Sequence, residues 1–183
     1  FYYFDMYYKY TYMSINGKSK MKKVEREIKE IMFNAFQQVQ KMDKVPLPIK
    51  NKMLSAIFKM NPEKWRVIGI TEKAVLRFAE HEFKYKTGMK IQRSHIYQRS
   101  KRNKHLLDKT DWKLDEWWKF FFDKDACILA ISTENKNNEA PTKRFDVPDN
   151  LFRSSGFAYT VKEDETLFLK KSWKKLKSDS NKK

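Results

Sequence analysis

Only four glycines and five prolines punctuate these 183 residues. A sandwich or barrel of many short strands needs frequent tight turns, and tight turns draw heavily on those two residues. The chain is therefore read as helix-rich. A hydrophobic share of 40% with 15% aromatics suffices for a packed core at this length. The expected fold is α+β: one helix-rich domain with a small β-containing central segment flanked by helices.

Four regions divide it. Residues 1–12, "FYYFDMYYKYTY", hold eight aromatics and no initiator methionine. They read either as a leader foreign to a unit that starts near Met13 or as an aromatic strand for a sheet edge. Residues 13–60 are helical, because Val24, Ile28, Ile31, Met32, Ala35, Phe36 and Val39 recur at helical spacing. "KVPLPIK" breaks that run, and Ile49, Met53, Leu54, Ile57 and Phe58 carry a second helix. Residues 61–140 form the basic centre, and 141–183 a polar loop followed by a basic helix.

Within the centre, "WRVIGIT" is a short strand. Thr71 caps a helix that turns Val75, Leu76, Ala79 and Phe83 inward, with His81 facing solvent. Gly88 ends that unit and lets "MKIQRSHIY" run extended, which puts Arg93 and His95 on one face. Asp111 is the expected cap of the next helix, whose Leu114, Trp117, Trp118, Phe121 and Phe122 are read as core rather than as a base-stacking platform. "ACILAI" is a buried strand that "STEN" stops. Thr160 and Glu163 stand at capping-box spacing before the last helix, which buries Phe168, Leu169, Trp173 and Leu176.

The net charge of +17 points to a polyanion, since a compact fold repels itself at such a charge. Nucleic acid is the expected partner, DNA ahead of RNA; the plainer account is a lysine-rich composition without a binding role. The excess is clustered: residues 84–109 carry nine lysines and arginines against the lone Asp108. Arg93, Arg99, Lys101, Arg102 and Lys104 are the phosphate contacts expected there, with Lys170, Lys171, Lys174 and Lys175 on the last helix. No apolar run approaches the roughly 18 residues that span a bilayer, and no charged-then-apolar leader is read. No membrane role is therefore expected. A lone Cys127 excludes an internal disulfide and a cysteine zinc finger within one chain. The expected location is intracellular: cytoplasmic, or nucleoid or nuclear if DNA-bound.

No Gly-rich phosphate loop, Ser-His-Asp arrangement or paired-histidine zinc motif is present. What remains is His95 in "RSHIYQR", followed 40 residues later by Asn135 at the end of "DKDACILAISTEN". In this order residues 88–140 resemble the HNH, or ββα-metal, nucleases. The resemblance implies His95 as general base toward water, Asp125 near the bracing position, and Asn135, with Glu134, helping to hold a divalent ion, Mg²⁺ or Mn²⁺. The implied activity is metal-dependent hydrolysis of phosphodiester bonds by a DNA endonuclease. The chain departs from the pattern at Ser94, where the family often has Asp or His, in the Trp-rich helix between the strands, and in lacking zinc cysteines. The competing expectation is a DNA- or RNA-binding protein without catalysis or cofactor, in which His95 and His105 are ordinary polar or phosphate-contacting residues.

Overall fold

The computed structural model describes residues 17–61, 63–135, 140–153 and 161–181. The aromatic leader, Thr160 and the extended segment expected near 154–160 lie outside the described residues.

Two helices open the described chain, α1 (Gly17–Gln40) and α2 (Leu47–Phe58). Pro46 and Pro48 bracket the start of α2, where a missing N–H costs nothing. Met32, Phe36 and Val39 of α1 and Leu54 and Phe58 of α2 are buried. Ile31 and Ile49, expected on the same inner faces, are half exposed, because each helix touches the molecule along a narrower stripe than its apolar content allows. Strand β1 (Val67–Ile70) follows, then α3 (Glu72–Glu80). Thr71 caps α3 as expected, its Oγ1 accepting from Ala74 N at 3.1 Å. Val75 and Phe78 face inward while Leu76 stays exposed.

Strand β2 (Ile91–His95) leads into α4 (Arg99–Asp108), and α5 (Leu114–Lys124) into β3 (Cys127–Ile131). A short β4 (Phe145–Asp146) and the long α6 (Glu163–Ser180) complete the described elements. The sheet order is β2-β3-β1-β4, with β3 parallel to β1 and antiparallel to β2, and β4 antiparallel to β1. Among the described residues this is an α+β domain with six α-helices around a small mixed sheet. Gly69 is required where β4 crosses: a Cβ there would stand 2.9 Å from that of Lys143.

Two apolar clusters flank this arrangement. One packs β1, β2 and β3 against α3 and α6 through Val67, Ile70, Phe78, Leu129 and Leu169. The other is aromatic and joins α1, α2, α4 and α5 around Trp117, with Phe36, Phe58 and Phe121. Trp117 and Phe121 are fully buried, so the Trp-rich helix is core. No described helix is long and apolar enough to cross a membrane.

Two expected caps are corrected. Lys113, not Asp111, precedes α5, and no side chain caps it. Before α6 the reciprocal acceptor is Glu165 rather than Glu163: its Oε2 accepts from Lys162 N at 2.9 Å and its Oε1 from Phe152 N at 2.7 Å. The basic run 99–108, expected to supply phosphate contacts, is a helix whose Arg102, Asn103 and Leu106 are buried.

Candidate functional site

The site begins with the alternation of β2. Arg93 and His95 project to the same side and line one cleft of about 240 Å³ together with Ile96, Gln98, Arg99, Asn135 and Ala140. Gln98 is the residue before α4, so the start of that helix carries Gln98 and Arg99 over the cleft. Asn135 reaches it by a less direct route. The register pairs His95 with Cys127 and Ile91 with Ile131, so β3 ends at the far end of β2 from His95. A one-turn 3-10 helix (Ser132–Glu134) then redirects the chain. Glu134 pins this reversal, its Oε2 accepting from Thr71 Oγ1 at 2.7 Å and from Ile131 N at 3.0 Å.

Behind the histidine ring sits Asp125, only 4% exposed. Its Oδ1 lies 3.6 Å from His95 Nε2 and accepts from Nη1 of the buried Arg102. Its Oδ2 accepts from Trp65 N at 2.8 Å. Burial pushes the Asp125 carboxyl up, but the imidazole, the Arg102 guanidinium and the Trp65 N–H together outweigh it and hold the group below its ordinary range. Asp125 is therefore a carboxylate. Burial acts on Arg102 in the opposite sense, lowering it against the pull of Asp125, and Arg102 keeps its charge because its ordinary value is so high.

Trp65 completes the frame. Its backbone has a left-handed φ of 57°, uncommon for a bulky residue, and both of its peptide groups are in use. The N–H serves Asp125, the carbonyl accepts from Arg93 Nη1 at 3.0 Å, and the ring meets His95 edge-on at 6.1 Å. Arg93 Nη2 donates to Phe152 O at 2.8 Å.

Of the residues singled out in the sequence, His95, Asn135, Arg93 and Arg99 meet at one cleft, and Asp125 stands behind it. Three differ from expectation. Arg102 is buried beneath the site, paired with Asp125, and does not present itself to a phosphate. Arg93 brings its charge to the cleft but directs two N–H groups at backbone carbonyls. Glu134 serves the turn that carries Asn135 and does not line the cleft. Lys101 and Lys104 are exposed on α4, with Lys104 Nζ 2.7 Å from Asp108 Oδ2. Lys170, Lys171, Lys174 and Lys175 are exposed on α6. His105 is exposed on α4 and stacks on Phe120 with ring centroids 4.6 Å apart.

The divalent ion implied by the HNH resemblance can be tested against these donors. Among the described residues no group of three or more His, Cys, Asp or Glu side chains is placed to hold a metal. The described lining offers one imidazole and two amides beside two guanidinium groups. Mg²⁺ takes carboxylate oxygens, and cations repel it. The described residues do not fit a resident divalent cation. Cys127 is no alternative nucleophile, because burial, aided by Asp125, raises its thiol far above the ordinary value. Compared with family models, with curated proteins and with solved structures, the chain matches none.

Proposed function

We propose that the protein binds nucleic acid through its phosphate backbone, DNA in preference to RNA, and hydrolyses phosphodiester bonds at the cleft as an endonuclease with an HNH-like histidine base but without the family's resident metal ligands among its described residues. The observation that carries this reading is the convergence of His95 and Asn135, 40 residues apart in sequence, on one cationic cleft. The Asp125 carboxylate facing Nε2 favours the proton on that nitrogen. Nδ1 is then the base that takes a proton from water as the water oxygen bonds to phosphorus. Arg99, exposed at the start of α4, faces the phosphate, and the charge of Arg93 adds to the field that favours an anion there.

A second reading, nucleic-acid binding without catalysis, is favoured by the lack of any carboxylate among the described lining residues. Supercoiled plasmid incubated with the protein and Mg²⁺ or Mn²⁺, with and without chelator, separates the two. The endonuclease reading expects nicking that Asn135→Ala and His95→Ala remove. Salt-sensitive binding with no nicking under any metal is the result expected of the binding module.

A further inference from the structure

Arg102 lies in the most basic stretch of the chain yet is 2% exposed. Its guanidinium carbon sits 4.7 Å from the ring centroid of Phe58 on α2 and 5.4 Å from that of Phe121 on α5. Its Nε donates to Asn103 Oδ1 at 3.3 Å, and its Nη1 donates to Asp125 Oδ1. The same oxygen lies 3.6 Å from His95 Nε2, a buried nitrogen with no hydrogen-bond partner among the described residues, so the carboxylate is the nearest group of opposite charge that faces it. A buried ion pair adds little stability over apolar residues of similar volume, because desolvation offsets the attraction. This pair instead joins the aromatic cluster to the ring that faces the cleft.

We infer that Arg102 is a positioning residue: held by Phe58 and Phe121, it fixes the Asp125 carboxylate so that His95 carries its proton on Nε2 and presents an unprotonated Nδ1 to the cleft. This deepens the nuclease reading and rests on it for its functional meaning, but its geometry can be tested without any cleavage. A carboxylate has only acceptors to offer the ring. Trp65 N–H occupies Oδ2, the guanidinium shares Oδ1, and the ring nitrogen facing Oδ1 is favoured as a donor.

Replacing both partners at once turns this into a signed prediction. In the double variant Arg102→Met, Asp125→Asn, the amide oxygen still accepts from Trp65 N–H, so the NH₂ group turns toward His95. An NH₂ donor needs an acceptor, and the ring proton moves to Nδ1. Neither position is then left with an unpaired buried charge, which favours folding over either single change.

The experiment is ¹⁵N NMR of histidine-labelled protein in alkaline buffer, with His95 assigned by the resonances lost in His95→Gln. The wild type is expected to show the Nε2–H tautomer. The double variant, confirmed folded by circular dichroism, is expected to shift toward Nδ1–H, and Arg102→Lys, which keeps the charge, to stay with Nε2–H. A wild-type ring protonated on Nδ1, or a folded double variant with unchanged tautomer, overturns the inference. If the double variant does not fold, the wild-type tautomer and Arg102→Lys still decide. Where the protein nicks DNA, the double variant should lose about 10²–10⁴-fold in rate with duplex affinity nearly unchanged. Tautomer inversion in a protein that never nicks would sink the nuclease reading and leave the positioning intact.

Discussion

Asp125 shows how much of a residue's role depends on partners distant in sequence. Only the resemblance to the HNH nucleases put it near a bracing position. Its partners Arg102 and Trp65 were not legible in the sequence. A charged residue in a basic run normally faces solvent, and nothing in "RSKRNKH" distinguishes Arg102 from Arg99 or Lys101. Only the carboxylate and the two aromatic rings from other elements make that position a buried one. The pairing has a consequence for pH. A carboxyl held below its unfolded value of roughly 4 contributes stability that is fully present above that pH and is lost as pH falls through the lower folded value. Urea melts between pH 6 and pH 2 should therefore show the wild type losing more stability on acidification than the Arg102→Met, Asp125→Asn variant. Parallel losses in the two proteins would deny Asp125 that role.

Among the elements, strong periodicity was legible and local polarity was not. The spacing of Met32, Phe36 and Val39 set α1, the continuous apolar run set β3, and the Thr71 cap of α3 followed from a side-chain oxygen three residues before an unpaired N–H. Helix α4 escaped notice because its only apolar residues, Leu106 and Leu107, sit together at its end, and its buried side chains Arg102 and Asn103 are polar. The approach of Asn135 to His95 depends on the Ser132–Glu134 turn, whose anchor on Thr71 is a long-range contact. Thr71 therefore serves two elements, capping α3 and holding Glu134. Thr71→Ala should destabilise the protein by about 1–2 kcal/mol, while Thr71→Ser, which keeps the hydroxyl, should stay within about 0.5 kcal/mol. Equal stability of Thr71→Ala and wild type in urea would remove Thr71 from both roles.

For the whole molecule, the charge of +17 is carried largely by exposed lysines, including Lys101 and Lys104 on α4 and Lys170, Lys171, Lys174 and Lys175 on α6. Exposed charges contribute little to folding and much to polyanion binding, because each neutralised phosphate releases counterions. Replacing Lys101 and Lys104 together by alanine should weaken duplex binding and flatten its salt dependence with an unchanged melting midpoint. Unchanged binding would move the contact to α6, where Lys171→Ala with Lys174→Ala should then produce the effect. Such binding would hold a backbone near the cleft, where the proposed role of His95 is to activate water. The most direct test measures binding and cleavage on one sample: duplex DNA saturated with wild-type protein or with His95→Ala, its occupancy set by a titration, and strand breaks counted over time with Mg²⁺ or Mn²⁺ present. Occupancy should be equal, and the cleavage rate lower by about 10²–10⁴-fold in His95→Ala. Equal cleavage rates in the two proteins at equal occupancy would contradict that role.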